Sequence, residues 1–201
     1  MIKILIAEDQ GMVRDALATL LGMEPDMHVV AQVATGDEIV SAALAARPDV
    51  ALLDVEMPGT DGLSAAAVLH RELPGCHLLI LTTFGRPGYL RRAMDSGASG
   101  FVLKDGPVED LVRAIHQILD GRKVIDPVLA TAALSTGPNP LSARERDVLT
   151  AATDGSTVAE IAGRLHLSEG TVRNYLSAAI GKTGTRNRLE ATRTATDNGW
   201  I

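Results

Sequence analysis

Short apolar runs alternate with amphipathic stretches five times before residue 121, and this alternation constrains the fold more than any other feature. The apolar runs predict strands at 2–7, 28–34, 49–53, 77–82 and 100–103, and the amphipathic stretches predict helices at 11–23, 36–46, 62–73, 87–96 and 107–120. Strands that alternate strictly with helices are typical of a parallel sheet covered on both faces. The sequence therefore predicts a doubly wound α/β domain with a five-stranded parallel sheet.

The pattern changes after residue 121. The stretch 126–140 is rich in Ala, Thr, Ser, Gly and Pro and ends in Gly137-Pro138-Asn139-Pro140, which is typical of a linker, although 128–134 could form a helix. From Leu141 onward the apolar spacing is helical only, in four short segments. We therefore expect an α/β domain over 1–121, a linker over 122–140 and a small all-α domain over 141–201.

Charge and composition narrow the classes of function. The single cysteine, Cys76, excludes an internal disulfide, and no apolar stretch approaches the ~20 residues that span a bilayer. We expect a soluble cytoplasmic protein with no membrane partner. The net charge is −6, but residues 138–201 carry seven arginines, one lysine and seven acids, a net charge of +1. The C-terminal part is therefore the better candidate for binding nucleic acid.

Polar residues stand where four of the predicted strands end. Glu8 and Asp9 follow the first strand, Asp54 follows the third, Thr82 ends the fourth and Lys104 follows the fifth. Because the carboxyl ends of parallel strands lie along one edge of a sheet, we expect these side chains to converge. Singly, each has an ordinary explanation as a helix cap or turn residue. Their occurrence at successive strand ends favours a shared site.

The predicted site has the chemistry of a magnesium-dependent phosphoryl acceptor. Magnesium prefers oxygen ligands, and the candidates are the carboxylates of Glu8, Asp9 and Asp54 and the backbone carbonyl of Glu56. With the ion present, the Asp54 carboxylate could attack phosphorus in line. Lys104 would add a fixed positive charge, and the Thr82 hydroxyl could hydrogen-bond the new phosphoryl group.

Residues 1–121 resemble the receiver domain of bacterial two-component response regulators, which has a flavodoxin-like fold. The matching pieces are Glu8-Asp9, the loop from Asp54 to Gly62 with Met57-Pro58 and Asp61-Gly62, Thr82, and the run from Gly100 to Lys104. The resemblance implies that Asp54 accepts a phosphoryl group from a sensor histidine kinase and that Glu8 and Asp9 bind Mg²⁺. It also implies that Thr82 and Phe101 are the switch residues.

The C-terminal part contains two short predicted helices, 158–165 and 169–180, joined by a tight turn and with Ser168 capping the second. One face of the second helix is apolar, from Val172, Leu176 and Ile180, and the other is polar, from Arg173, Asn174 and Ser177. Arginine can read guanine and asparagine can read adenine in the major groove. The pattern fits a helix-turn-helix, and it fits a small helical bundle with solvated polar residues equally well.

Residues 141–201 resemble the LuxR-type DNA-binding domain. The resemblance rests on the runs 141–145, 160–162, 167–176 and 186–188. Together with the receiver, it identifies the chain as similar to the NarL/FixJ class of response regulators. By that match Arg173, Asn174 and Ser177 would approach bases, and Thr171 and Lys182 would approach phosphates.

The domain departs from the family where small residues replace bulky apolar ones, at Ser156, Ala179, Thr183, Thr185, Thr192 and Thr194. A weakly basic domain with these substitutions is expected to be loosely packed, and to bind DNA with a shallow salt dependence per subunit.

These observations predict a transcriptional regulator that is phosphorylated on Asp54, forms a homodimer and binds promoter double-stranded DNA. It would have no enzymatic activity apart from magnesium-dependent self-phosphorylation. The dimer would form through the fourth and fifth helices or through the first and fifth. Two alternatives stay open: a magnesium-dependent phosphatase of the haloacid dehalogenase kind, and a regulator controlled by a ligand or partner without phosphate. The nucleophile of such phosphatases lies on the first strand, whereas Asp54 follows the third.

Overall fold

The computed structural model describes residues 1–83, 87–135 and 139–201. The chain divides into two compact units, one built around a β-sheet and one built from the C-terminal helices. Among the described residues, no helix combines the length and the apolar character needed to cross a membrane.

The first unit contains a parallel sheet in which each strand is hydrogen-bonded to its neighbours in the order β2-β1-β3-β4-β5-β6. The strands are β1 (Ile2–Ala7), β2 (Met27–Val33), β3 (Val50–Asp54), β4 (His77–Thr82), β5 (Gly100–Leu103) and β6 (Val124–Ile125). The helices that lie wholly within this unit are α1 (Gly11–Gly22), α2 (Gly36–Ala46), α3 (Gly62–Glu72) and α5 (Val108–Leu119). Two further helices, α4 (Pro87–Asp95) and α6 (Pro127–Ser135), belong to it from residue 90 and up to residue 131, respectively. The α/β class and the alternating order confirm the prediction from the sequence.

The predicted number of strands was wrong, because the sheet has six strands rather than five. The additional strand, β6, has only two residues and lies in the stretch predicted to be a linker. Two residues cannot show a strand periodicity. The strand forms because the edge of β5 has backbone groups to pair: Val124 N–H donates to Ser99 O at 3.1 Å and Asp126 N–H donates to Phe101 O at 3.0 Å.

The core of the first unit lies on the faces of the central strands. All five residues of β3 are buried, as expected for a strand covered by helices on both sides. One core cluster joins Leu52 of β3 and Leu79 of β4 to Ile115 and Ile118 of α5, and Leu21 of α1 packs on it. These contacts fix the strands, and therefore the residues at their carboxyl ends.

The second unit consists of helices among its described residues: α7 (Ala143–Ala151), α8 (Val158–Leu165), α9 (Glu169–Thr183) and α10 (Arg188–Asp197). The predicted capping box at Ser142 is present, and Ser168 accepts a hydrogen bond from Thr171 N–H as the N-cap of α9. The core is small and aliphatic, with Val148, Ile161, and Val172 all fully buried. The helices thus pack around a single centre.

Candidate functional site

The first candidate site lies at the carboxyl edge of the sheet, where the predicted residues come together. Glu8 follows β1, Asp54 is the last residue of β3, Thr82 is the last residue of β4, and Lys104 follows β5. Backbone hydrogen bonds hold these ends in place: Glu8 N–H donates to Val33 O at 3.1 Å, and Lys104 N–H donates to Thr82 O at 2.9 Å. Glu8, Asp54 and Thr82 are buried with 1%, 5% and 2% exposure.

Three carboxylates form a cluster at this edge. Each of Glu8, Asp9 and Asp54 offers a carboxylate oxygen, and the three oxygens lie within 4.8 Å of one another. Asp9 is exposed, so the cluster is open to solvent on that side. An all-oxygen set with one open side matches the preference of Mg²⁺, which binds few protein carboxylates and keeps several waters. The residues fit the predicted ion.

Lys104 bridges two of these carboxylates. Its Nζ lies 2.6 Å from Glu8 Oε2 and 2.9 Å from Asp54 Oδ2, and its side chain is only 9% exposed. One ammonium therefore faces two buried carboxylates, while the third acid of the cluster, Asp9, is nearby. The cluster carries more negative than positive charge when all of its groups are ionised.

The environment of Asp54 reflects this imbalance. Burial raises the pKa of the Asp54 carboxyl above its ordinary value, the hydrogen bond and charge of Lys104 oppose the rise, and the charge of Glu8 adds to it. A hydrogen bond to the Asp54 carboxylate from the backbone of Glu56 also favours the charged form. The position of the Glu56 carbonyl as a metal ligand stays a prediction. A divalent cation would remove the remaining excess of negative charge.

The loop after Asp54 is shaped by Asp61 and Gly62. Asp61 caps α3 and accepts hydrogen bonds from Leu63 N–H at 3.1 Å and Ser64 N–H at 3.0 Å. A Cβ on Gly62 would overlap the backbone oxygen of Asp54, so the close approach of the loop to the acceptor residue needs glycine. The carboxylate of Asp61 also pairs with Arg92 of α4 at 3.2 Å. This contact was not predicted, since no local pattern links residues so far apart in sequence.

The two predicted switch residues occupy neighbouring strands. Thr82 ends β4 and is buried, and Phe101 lies in β5 opposite Ile80 of β4 and is fully buried. Among the residues that the structure describes, Phe101 is the largest fully buried side chain. Any rotation of its ring requires the surrounding core to repack, because protein interiors leave few voids.

The second candidate site is the outer face of α9. Helices α8 and α9 are joined through His166, which ends α8 in the left-handed conformation with φ 53°. The predicted outer residues Arg173, Asn174 and Ser177 are all exposed, whereas Val172 and Leu176 are buried. Ala179 completes the buried face, and Ile180, predicted to be there, is only half-buried. The pair of helices has the form of a helix-turn-helix.

Both basic residues predicted to face DNA are held by carboxylates. Arg173 Nη2 lies 2.7 Å from Glu169 Oε2 within α9. Lys182 Nζ lies 2.8 Å from Oε2 of Glu145, a residue of α7 that is 6% exposed. Burial works against the charged form of Glu145, but hydrogen bonds from Lys182 and Ser142 outweigh it and lower the pKa of this carboxyl. The role of Glu145 as a partner of Lys182 was missed, whereas the spacing of Glu169 and Arg173 is a readable i,i+4 signal.

The chain matches two protein families. Residues 4–116 match the response regulator receiver domain, and residues 139–195 match the bacterial regulatory proteins of the luxR family. The chain is 44% identical over 201 residues to the transcriptional regulatory protein DesR of Bacillus subtilis (strain 168), with 100% of each chain covered.

Two solved structures are similar over nearly the whole chain. The response regulator ChrA of a heme-sensing two-component system is 32% identical with a TM-score of 0.59, and the match covers 100% of this chain and 98% of that one. The two-component response regulator RcsB in complex with DNA is 25% identical with a TM-score of 0.69, and the match covers 98% of each chain.

Proposed function

Since the chain belongs to the two-component response regulators that carry a LuxR-type DNA-binding domain, and is therefore a transcription factor rather than a phosphatase, we propose that Asp54 is its phosphoacceptor. The observation that carries the proposal is the position of the Asp54 carboxylate. It lies at the carboxyl edge of the sheet within the acidic cluster and 2.9 Å from Lys104 Nζ. The phosphoryl donor would be a phosphohistidine of a sensor kinase.

In the transfer, an oxygen of Asp54 forms a bond to phosphorus as the bond between phosphorus and the imidazole nitrogen breaks. Mg²⁺ held by Glu8, Asp9 and Asp54, with the Glu56 carbonyl as a further ligand, would neutralise charge on the phosphoryl oxygens. Lys104 already contacts Asp54 and is placed to pair with the phosphoryl group instead. Thr82, at the end of the adjacent strand, would hydrogen-bond that group, and Phe101 would repack behind it.

Phosphorylation would act by favouring a homodimer, since a ligand shifts a conformational equilibrium only through its differential affinity for the two states. The first and fifth helices offer the better supported of the two predicted surfaces. A cavity of about 390 Å³ is lined by apolar residues of α1 and α5 and by Lys104. Met12 at its rim is 87% exposed, and Leu20 of the same helix is also exposed. Lys104 would link this surface to the phosphoacceptor.

The dimer would then place two copies of α9 on neighbouring turns of DNA. We assign base contacts to Arg173, Asn174 and Ser177 and phosphate contacts to Thr171 and Lys182. The assignment is supported by the exposure of the first three residues on one face of α9. Lys182 can still donate to a phosphate, because an ammonium has three donors and Glu145 uses one of them.

Intact-mass spectrometry with Mg²⁺ and acetyl phosphate tests the phosphoacceptor. Wild type is expected to gain one phosphoryl group and Asp54→Asn none. Asp105→Asn is the matched control, because Asp105 is an exposed carboxylate close by in sequence, next to Lys104. An adduct that persists in Asp54→Asn, or no adduct in wild type, would contradict the proposal.

A further inference from the structure

The recognition helix α9 carries an acidic residue where it would meet DNA. Glu169 is its first residue, and its carboxylate Oε2 accepts a hydrogen bond from Arg173 Nη2 at 2.7 Å. The two side chains are 51% and 63% exposed, so the pair lies on the surface rather than in the core. A carboxylate at this place would repel the phosphates that the surface is expected to approach.

Stability of the helix accounts only in part for a carboxylate at this place. A carboxylate in the first turn interacts favourably with the helix dipole, and a Glu–Arg pair at i,i+4 adds a small stabilisation. The dipole effect would be available from any acid in the first turn, whereas the i,i+4 pair requires Arg173 itself. Exposed ion pairs of this kind contribute little to folding. The main consequence of the contact is therefore the position of the Arg173 guanidinium.

The contact leaves Arg173 able to read a base. A guanidinium has five N–H donors, and a bidentate contact to guanine O6 and N7 uses two of them. Arg173 can therefore keep its bond to Glu169 while it contacts guanine. A phosphate reached by swinging the side chain away would require that bond to break. The Glu169 carboxylate would also repel phosphates, whereas it can accept a hydrogen bond from the amino group of a cytosine.

We propose that Glu169 is a positioning and specificity-determining residue for DNA binding. It holds Arg173 in the orientation that reads one base pair, and its charge weakens binding to all other DNA. The inference rests on the assignment of Arg173 as a base contact in the proposed function.

Two substitutions separate the contact from the charge. Glu169→Gln removes the charge and the strong acceptor together. Glu169→Asp keeps a charge in the first turn of α9 but has a side chain too short to reach Arg173 in the same way. If Glu169 acts as proposed, both variants lose discrimination at the base pair read by Arg173, and only Glu169→Gln gains affinity for non-specific DNA.

The experiment uses the full chain phosphorylated with acetyl phosphate. A duplex is first selected from a random-sequence library by the wild-type protein, and affinities are then measured for single base-pair substitutions of it and for sheared genomic DNA. Discrimination at the affected base pair should fall about twofold in both variants, the size of effect that an exposed i,i+4 pair supplies, whereas loss of the whole bidentate contact would cost about tenfold or more. Affinity for genomic DNA should rise on the order of threefold in Glu169→Gln alone.

Two further variants make the outcome decisive. Asp147→Asn removes the same charge from another exposed acid of the domain, which pairs with Arg144 at 3.5 Å, and should change neither quantity. Arg173→Ala should abolish the preference at one base pair. If Arg173→Ala loses the preference and both Glu169 variants keep it, the role of Glu169 is wrong and the proposed function stands. If Arg173→Ala keeps every preference, the assignment of Arg173 itself fails.

Discussion

Replacing Lys104 by methionine tests how charge is balanced at the acidic cluster. The Lys104 ammonium contacts Glu8 at 2.6 Å and Asp54 at 2.9 Å, and all three side chains are at least nine-tenths buried. Without the lysine, two buried carboxylates would face each other with no cation. Methionine keeps most of the apolar stem, so that packing changes little.

The expected loss of stability follows from two independent arguments. Breaking a buried ion pair by removing one partner costs about 3–5 kcal/mol. Alternatively, one of the two acids takes up a proton, and keeping an ordinary glutamic acid protonated at pH 7 costs about 4 kcal/mol, from roughly three pKa units at ~1.4 kcal/mol each. For a domain of this size each kcal/mol lowers Tm by roughly 3–5 °C, so a fall of roughly 10–20 °C is expected for the receiver transition.

Magnesium should reverse most of this loss. A divalent cation replaces the missing positive charge, and its affinity should rise at least tenfold, because it no longer meets the repulsion of the ammonium. Calorimetric scans of Lys104→Met in EDTA and in a Mg²⁺ series measure both effects, since ligand binding raises stability by RT ln(1 + [L]/Kd). Lys3→Met, at an exposed lysine of β1, is the control for the change in net charge. Equal Tm values for the two variants in EDTA, or equal responses to Mg²⁺, would refute the reasoning.

Three further predictions concern buried polar groups. Burial raises the pKa of Asp54, so its ionised form lowers the stability of the fold at pH 7, and this cost disappears as the pH falls towards 4. Asp54→Asn should therefore have a Tm several degrees above that of wild type at pH 7 and a smaller gain at pH 4.5. Calorimetry in EDTA measures both differences. The lowered pKa of Glu145 gives stability that is present above the ordinary glutamate pKa and lost as the pH falls through the folded-state pKa. Glu145→Gln should therefore cost about 1 kcal/mol at pH 7, and the difference should vanish once the pH is below the folded-state pKa. Unfolding is followed by the fluorescence of Trp200, the only tryptophan. Thr192 Oγ1 is buried and has no hydrogen-bond partner among the described residues, so urea unfolding should show Thr192→Val more stable than wild type by about 1–2 kcal/mol. Thr196→Val is the control. It should show no gain, because the Thr196 hydroxyl donates a hydrogen bond to Thr192 O at 3.0 Å.

The fold was predictable because its signals are local. Each strand from β1 to β5 and each helix from α1 to α5 begins and ends within one residue of the predicted position, since apolar runs and glycine or proline punctuation mark them directly. The convergence of Glu8, Asp54, Thr82 and Lys104 follows from the parallel topology alone. What the topology does not determine is the choice of partners. Lys104 bonding to both Glu8 and Asp54 depends on side-chain orientation across three strands.

The same limit explains what was missed. The strand β6 is too short for any periodicity and depends on the free backbone groups of β5. The pairing of Glu145 with Lys182 joins α7 to α9, and only the packing of those helices brings them together. The hydroxyl of Thr192 is buried and has no hydrogen-bond partner among the described residues, which the sequence alone does not show. Loose packing of this domain stays a prediction. In each case the missing information is tertiary rather than local.

The central claim is that phosphorylation of Asp54 controls DNA binding. The most direct measurement is the affinity for a duplex selected from a random library, determined for wild type before and after treatment with acetyl phosphate and Mg²⁺, and for Asp54→Asn treated identically. We expect treatment to tighten binding by wild type at least tenfold and to leave Asp54→Asn unchanged. Equal affinity of treated and untreated wild type, with complete phosphorylation verified by intact mass, would contradict the account.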